Sequence, residues 1–455
     1  MEMVLEFLRD VLSQPALLIG IMSCIGLIAL KRPFHKIMTG TLKPILGYLM
    51  LAAGAGVIVS NLDPLGKMIE HGFHITGVVP NNEAIVAVAQ KVLGVETMSI
   101  LVVGLLMNLC IARFTKFKYV FLTGHHSLFM ACLMSAVLGT AGLSGMELIL
   151  VGGFLMGAWS AISPAIGQSY TSKVTDGDEI AIGHFGSVGC YLSAWVAKYV
   201  GKAEDSTEDI EIPEKWGFLR DSTLSTALTM IVFYLIAAFA AGSEFVATLS
   251  GDMSPYLYAV MSAMNFAVGV TIVYSGVRMI LGDLIPAFQG IATKIIPNAI
   301  PAVDCAVFFT YAPTAVVLGF LSSFIGGIIG MLILGAVGGV LIIPGLVPHF
   351  FCGATAGIYG NATGGRRGAA VGAFLNGLAI TFLPALALPV LGQLGFQNTT
   401  FGDADFAVMG LVLGNAYEWI GMAGIYGIVA IAALVLIIPN FIKTKGKVIN
   451  YVEED

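Results

Sequence analysis

The stretch that decides the fold of this chain is residues 305–365, which begins CAVFFTYAPTAVVLGFLSSFIGGIIGMLILGAVGG and contains no Asp, Glu, Lys or Arg. A helix needs about 20 consecutive apolar residues to cross the hydrocarbon core of a bilayer. The uncharged stretch is long enough for two such helices, and the remainder is too short for a third. This stretch therefore predicts a pair of membrane-spanning helices.

The composition of the whole chain agrees with this interpretation. Hydrophobic residues make up 57% of the 455 residues and charged residues only 11%, whereas soluble domains carry about 25% charged residues. The mean hydropathy is +0.90, and the 56 glycines are typical of helices that pack closely in lipid. The net charge is −6 and no dense basic stretch occurs, so nucleic-acid binding is not expected. The sequence predicts an all-α polytopic membrane protein.

Apolar windows elsewhere in the chain bring the predicted number of transmembrane helices to eleven. They lie at residues 11–30, 44–62, 97–112, 119–146, 148–172, 222–243, 253–277, 368–402 and 407–442. With the N-terminus outside, all of the 22 basic residues except Arg9, Lys67 and Lys91 fall on the inner side, as the positive-inside rule requires. We therefore expect an external N-terminus and a cytoplasmic C-terminus.

Several classes of function are not expected from the polar parts of the chain. Residues 201–221 form a predicted cytoplasmic loop that is too short for a catalytic domain. The chain contains no GxxxxGK[ST] phosphate-binding loop, so it is not expected to be an ATP-driven pump. The six cysteines are scattered through apolar stretches and are interpreted as buried thiols. No cofactor and no metal site are expected, because the histidines lack closely spaced Cys or carboxylate partners.

The two halves of the chain resemble each other weakly. The segment GVIVSNLDPL at residues 56–65 corresponds to GVRMILGDLIP at 276–286, and VPNNEA at 79–84 corresponds to IPNAIPAVDCA at 296–306. Five predicted spans separate the matched segments, so the repeats are inverted. Inverted repeats with broken helices are an architecture of transporters that bind substrate near the membrane midplane; chance similarity of Gly- and Pro-rich segments is the alternative.

The repeat divides a single membrane domain that covers residues 1–455. We predict a first repeat at residues 11–200, a second, inverted repeat at 222–395, and a final transmembrane helix at 407–442.

The repeat also places two acids at equivalent positions, Glu83 and Asp304. An ionisable group inside a membrane is costly to bury and is functional by default. Pro297 and Pro301 prevent a continuous helix before Asp304. We therefore expect Asp304 at a binding site, and capping of the helix that follows is a compatible alternative.

Three histidines occur in two Gly-His settings. The segment LTGHHS at residues 122–127 begins the fourth span, and EIAIGHFGS at 179–187 is an apolar stretch too short to span. Such a Gly-rich stretch is typical of a re-entrant hairpin, and its counterpart in the second half is predicted at residues 353–367. For these histidines, contact with a ligand and hydrogen bonding between helices both remain open.

Six short strings in this order resemble the ascorbate-type enzyme IIC (EIIC) permeases of the bacterial phosphotransferase system. They are LTGH at 122–125, VTDG at 174–177, IGH at 182–184, VDCA at 303–306, YAPTAVV at 311–317 and LIIPG at 341–345. The resemblance runs from the first span to about Arg367. It implies eleven spans, an inverted repeat and a homodimer in the cytoplasmic (inner) membrane, each protomer with a scaffold domain and a mobile core domain. It also implies that a separate cytoplasmic EIIB protein, served by EIIA, phosphorylates the sugar as it is delivered inward.

The resemblance further implies which residues contact the sugar. They are Asn82, Glu83, His125, Phe129, His184, Phe185 and Asp304. The ascorbate-type permeases carry glutamines at the positions of Phe129 and Phe185, and a Thr-Tyr pair in place of Asn82-Glu83. The rings remove hydrogen-bonding amides, and the added carboxylate repels an anionic sugar.

The expected function is therefore inward transport of a sugar, either L-ascorbate or a related sugar or polyol. The alternative is an ion-coupled secondary transporter on the same fold, in which Glu83 and Asp304 carry the coupling ion.

Overall fold

The computed structural model describes residues 10–11, 14–74, 77–80, 82–177, 179–210, 222–392 and 399–441. The helices are Pro15–Ala29 (α1), Phe34–Phe73 (α2), Asn82–Phe114 (α3), Gly124–Thr140 (α4), Gly145–Ile166 (α5), Gln168–Thr175 (α6), Ser187–Val200 (α7), Ser222–Ala241 (α8), Ser243–Ser250 (α9), Pro255–Lys294 (α10), Pro313–Ala336 (α11), Leu346–Gly392 (α12), Ala404–Ile420 (α13) and Met422–Ile437 (α14). The short strands are Val79–Pro80 (β1), Tyr119–Phe121 (β2), Ala181–Ile182 (β3), Ile300–Val303 (β4) and Thr399–Thr400 (β5), and 3₁₀ helices occupy Cys305–Thr310 and Ile438–Phe441.

The predicted all-α polytopic class is confirmed. Within the described residues, seven helices are long and apolar enough to cross a membrane, and the bent pair α8 and α9, which meet at 116°, raises the number to eight. The sequence predicts eleven, and the difference has two sources. Helices α1 and α4 have only 15 and 17 residues, and α12, counted once, contains two helices. Eleven spans therefore remain a prediction.

Helix α12 folds back on itself. Its backbone leaves the helical conformation at Gly364 and Gly365, and Gly365 has φ 61°, a left-handed value that glycine adopts without strain. A Cβ atom on Gly360 would overlap the carbonyl of Gly368, although eight residues of a straight helix would separate them by about 12 Å. The two halves of α12 are therefore antiparallel and in contact.

The longest unbroken helices in the described part of the chain, α2 and α10, have 40 residues each. They run antiparallel, with Gly47 against Gly276 and Gly54 against Gly269. A Cβ atom on any of the four would lie within 2.9 Å of the opposite backbone. Small residues at such a crossing let membrane helices approach closely. Helices α1, α8 and α9 pack around this pair, whereas α3 to α7 and α11 to α14 form a second group.

The short strands join the two halves of the chain reciprocally. Strand β4 of the second half lies between β2 and β3 of the first half, and all three are parallel. Strand β1 of the first half pairs in parallel with β5 of the second half, and the neighbouring Val78 bridges to Ile342. Each half thus places one strand among segments of the other, an exchange expected of an inverted repeat. The boundaries at 11–200 and 222–395 remain predictions.

This exchange corrects one interpretation of the sequence. The predicted re-entrant hairpin at residues 179–187 takes the form of strand β3, a short loop and the beginning of α7. β5 followed by α13 has the same order of strand, loop and helix, whereas the predicted counterpart at residues 353–367 lies inside α12 and does not. Those residues form the fold-back of α12. Their glycines serve close helix packing and the turn, so a shared richness in glycine does not identify equivalent segments.

Candidate functional site

Three predicted site residues follow the three strands of the β2-β4-β3 sheet. His125 lies in the first turn of α4 after β2, His184 follows β3, and Asp304 follows β4. The register places the last residues of β2 and β3 beside the last two residues of β4. Because the strands are parallel, their carboxyl ends lie at one edge. The sheet therefore brings two histidines and an aspartate from distant parts of the chain together.

Asp304 uses its two carboxylate oxygens differently. One oxygen accepts a hydrogen bond from the backbone amide of Ala306 at 3.2 Å and caps the 3₁₀ helix that follows, so the capping alternative is confirmed. The other oxygen lies 3.5 Å from Nε2 of His125. The Asp304 side chain is 9% exposed and that of His125 is 37% exposed. The second oxygen is therefore placed to bind a ligand that reaches His125.

His126 and His184 pack with their ring centroids 3.9 Å apart, and both are buried. The backbone amide of Phe185 donates to Nδ1 of His126 at 3.4 Å, and that of Gly186 donates to Nδ1 of His184 at 3.0 Å. A ring nitrogen that accepts a hydrogen bond carries no proton, so each neutral imidazole carries its proton on Nε2. Two consecutive amides thus set the tautomers of two histidines.

A second set of polar groups follows the two strands of the β1-β5 sheet. Asn82 starts α3 after β1, and Gly402 and Asp403 follow β5. The Asn82 side chain donates to Oδ2 of Asp403 at 2.7 Å and accepts from the Gly402 amide at 2.9 Å. Asp403 also accepts a hydrogen bond from the Cys352 thiol at 2.8 Å. Ligand atoms of His184, Cys352 and Asp403 lie within 4.8 Å of one another, so the two sheet edges meet.

Residue types that bind metals therefore converge here from distant positions in the sequence, a convergence that close spacing along the chain could not reveal. His184, Asp304 and Cys305 form a second set of ligand atoms within 4.8 Å. Hydrogen bonds already engage several of these groups, because His184 Nδ1 accepts from the backbone, Asp304 caps a helix, and Cys352 donates to Asp403. The absence of a metal remains a prediction.

Aromatic rings form one side of the site. Phe129, which is 9% exposed, lies edge-on to His125 with a centroid distance of 5.8 Å. The Phe185 ring is fully buried, stacks on Phe121 at 4.7 Å and contacts Phe406 at 5.6 Å. Phe129 is thus placed beside a ligand held by His125. The Phe185 ring lies in the apolar core behind the histidines, and a ligand would reach it only after it left this packing.

Asp405, in the second half of the chain, forms hydrogen bonds to the loop that contains His184 and to the beginning of α7 in the first half. Its carboxylate accepts hydrogen bonds from the Ser187 hydroxyl and the Val188 amide, both at 2.9 Å, and from the Trp159 indole at 3.3 Å. Its own amide donates to the carbonyl of Phe185 at 2.9 Å. Asp405 is fully buried. It therefore fixes the position of the loop between β3 and α7.

Sequence reasoning missed Asp403, Asp405 and the role of His126. A signal for the two acids was present, because FGDADF at residues 401–406 places them among apolar residues between two predicted spans. Glu83 lies in α3, but its side chain is outside the part of the chain that the structure describes, so its role remains a prediction.

Comparison with known proteins agrees with this arrangement. A family model described as the sugar-specific permease component of the phosphotransferase system, EIIC-GAT, matches residues 10–405. The ascorbate-specific phosphotransferase-system EIIC component of Mycoplasma pneumoniae is 28% identical over 417 aligned residues, which cover 78% of this chain and 62% of that protein. The chain thus spans less than two thirds of the length of this relative. Because the family model covers most of the chain, the chain belongs to the sugar-specific permease components of the phosphotransferase system.

Proposed function

We propose that this chain binds a sugar or polyol where the two sheet edges meet and carries it inward for phosphorylation by a separate EIIB protein, which EIIA supplies. The observation that carries the proposal is the convergence of His125, His184, Asp304 and Asp403 from strand ends of both halves. Imidazole N–H donors and carboxylate acceptors together match hydroxyl groups, which donate and accept. Transporters built from inverted repeats bind their substrate at the interface between the repeats.

We further propose that the substrate is a neutral sugar or polyol rather than the ascorbate anion. Asp304 and Asp403 both lie close to His184, and the backbone amides hold His126 and His184 in uncharged tautomers. The described residues of the site include these acids but no Lys or Arg, which disfavours an anion. Phe129 supplies an apolar face for the C–H groups of a sugar. L-ascorbate, the substrate named for the Mycoplasma relative, is the alternative.

The two groups of helices correspond to the proposed scaffold and mobile core. The second group carries the site residues, whereas α2 and α10 belong to the first. Tyr48 of α2 lies 3.4 Å from Nδ1 of His125, a contact between the groups that movement of the core would break. We place this unit in a homodimer in the bacterial cytoplasmic membrane.

Phosphoryl transfer is assigned to the partner proteins. A phosphocysteine requires an accessible, activated thiol, and Cys305 and Cys352 beside the site are buried. This chain therefore supplies binding and translocation, and EIIB supplies the phosphoryl group.

The decisive experiment is sugar uptake by vesicles that contain the purified protein, with and without the cytoplasmic phosphotransferase proteins. We expect uptake only with these proteins, and the accumulated sugar should carry phosphate. Accumulation of unmodified sugar that follows an ion gradient would contradict the proposal and support the ion-coupled alternative.

The proposed orientation has its own test. Single cysteines at Glu204 and Asp252, both exposed, are introduced into a cysteine-free variant and treated with an impermeant thiol reagent on intact cells. We expect labelling at position 252 and none at 204, and the reverse pattern would overturn the map.

A further inference from the structure

A cavity of about 1000 Å³ lies between the two groups of helices and, among the described residues of the sugar site, is lined only by Asn82. Its walls come from α2 and α8 of the first group, and from α11 and residues 343–348 of the second group. Pro80 and Asn82 also line the cavity. The volume is at the upper end of the range for small-molecule pockets, about 300–1000 Å³.

The wall of this cavity is mostly apolar. Phe233, Phe324 and Met331 belong to the lining. Ile236 and Leu332, also in the lining, are 55% and 62% exposed. In a membrane protein, exposed apolar side chains of this kind face acyl chains, so lipid reaches the cavity directly.

One part of the cavity is charged. Asp63, Lys67 and Glu70 line it and follow one face of α2 at helical spacing. Lys67 lies 2.8 Å from Asp63, and both side chains are more than half exposed. Two carboxylates and one ammonium group complement a zwitterion: Lys67 matches a phosphate, and the acids match a primary ammonium group. In the predicted orientation, this charged part faces the outer surface of the membrane.

We propose that the cavity is a binding site for a zwitterionic phospholipid of the phosphatidylethanolamine type. Its acyl chains occupy the apolar wall, and its headgroup pairs with the charges on α2. Because the walls belong to both groups of helices, a bound lipid bridges them. It also lies against Asn82, whose side chain holds Asp403 at the sugar site. The lipid site does not depend on the identity of the transported sugar.

Gly66 offers a direct way to fill this cavity. It lines the cavity, and a Cβ atom on it would meet only the Leu346 side chain at 3.8 Å, an ordinary contact distance. Gly66→Leu therefore places a side chain where the acyl chains lie without a backbone clash. Gly56→Leu is the matched control, because Gly56 is on the same helix, is absent from the cavity lining and has open space around it.

The experiment is native mass spectrometry of full-length protein released from nanodiscs that contain equal amounts of phosphatidylethanolamine and phosphatidylglycerol. We expect the wild type and Gly56→Leu to retain phosphatidylethanolamine. Gly66→Leu should retain at least about tenfold less phosphatidylethanolamine than the wild type, because each methylene group excluded from an apolar site weakens binding about fourfold. Equal retention by Gly66→Leu, no retained lipid in the wild type, or equal retention of both lipids would overturn the proposal.

A headgroup variant keeps the test informative if Gly66→Leu does not fold. Replacing both acids, Asp63→Asn with Glu70→Gln, leaves the apolar wall intact and removes the groups that match the ammonium. We expect preference for phosphatidylethanolamine over phosphatidylglycerol to fall at least about threefold, the size of a modest exposed charge interaction. An unchanged preference would contradict the assignment. Sugar binding is measured on the same samples, so failure of the lipid site is distinguishable from failure of the transport proposal.

Discussion

The two sheet edges that meet at the site are both formed by parallel strands from the two halves of the chain, but they present different side chains. The edge of β2-β4-β3 presents His125, His184 and Asp304, whereas the edge of β1 and β5 presents Asn82 and Asp403. The first edge offers imidazole donors on both sides of one acid. The second edge consists of an acid already engaged by an amide and a thiol. The comparison indicates that the repeated architecture supplies the position of both edges, and we propose that the first edge contacts the ligand while the second supports it.

A second comparison, between Asp403 and Asp405, sharpens this distinction. The partners of Asp403 are two side chains near the site, the Asn82 amide and the Cys352 thiol. The partners of Asp405 hold the beginning of α7. We therefore propose that Asp403 supports the ligand site, whereas Asp405, two residues away, stabilises the fold.

The largest effect is expected for Asp405→Ala. Removing the carboxylate leaves the Ser187 hydroxyl, the Val188 amide and the Trp159 indole without their buried acceptor, and each unsatisfied group costs about 1–3 kcal/mol. We expect a loss of several kcal/mol, a large part of the stability of a typical protein. The measurement is the thermal unfolding midpoint of detergent-solubilised protein.

The control for this prediction is Asp252→Ala in an exposed turn, where a change within about 0.5 kcal/mol is expected. A midpoint for Asp405→Ala equal to that of the control would show that the Asp405 network does not hold the fold together.

Asp304→Asn should reduce affinity rather than stability. The amide keeps an oxygen that can cap the 3₁₀ helix, but the charge-assisted hydrogen bond to the sugar is lost, a change of about 1.5–3 kcal/mol. Affinity should fall by about tenfold to a hundredfold, measured by titration of the purified variant with a panel of hexitols, pentitols and ascorbate. Unchanged affinity with an unchanged unfolding midpoint would leave Asp304 only its capping role.

Much of the first sheet edge could be predicted from the sequence, and little of the second. Asp304 is conspicuous because prolines interrupt the helical pattern before it and an acid follows in an apolar stretch. Asp403 becomes part of the site through pairing of β5 with β1, strands of two residues each, and segments that short have no periodicity to detect. The fold-back of α12 could not be predicted for a related reason. Gly364 and Gly365 lie in a Gly-rich apolar segment, in which the sequence does not distinguish glycines that permit close helix packing from glycines that form a turn.

A smaller effect is expected at Phe129, where the chain departs from the glutamine of ascorbate-type permeases. Phe129→Gln restores one hydrogen-bonding amide beside His125, and one such bond contributes about 0.5–1.5 kcal/mol. Ascorbate affinity should rise about two- to tenfold, and affinity for neutral polyols should not rise. The comparison variant is Phe185→Gln, whose ring is fully buried; it should lower the unfolding midpoint instead. Full restoration would also require Glu83→Tyr, which removes the repelling charge. Tight ascorbate binding by the wild type, weakened in Phe129→Gln, would return the chain to the ascorbate-type substrate.

The smallest effect is expected at His126, which acts through its neighbours. Its Nδ1 accepts the Phe185 amide at 3.4 Å, a long hydrogen bond whose loss should cost about 0.5 kcal/mol, or slightly more than twofold in sugar affinity. Oδ1 of an asparagine occupies nearly the position of Nδ1, whereas Oε1 of a glutamine lies near the position of Nε2. His126→Asn should therefore retain the bond to the Phe185 amide, and His126→Gln should lose it. If the first edge is the ligand-binding edge, sugar affinity measured by titration should fall in the glutamine variant and remain close to wild type in the asparagine variant. A larger loss in the asparagine variant than in the glutamine variant would instead show that the Nε2–H group of His126 contacts the sugar directly, because the glutamine amide can place an N–H donor near the position of Nε2 and asparagine cannot.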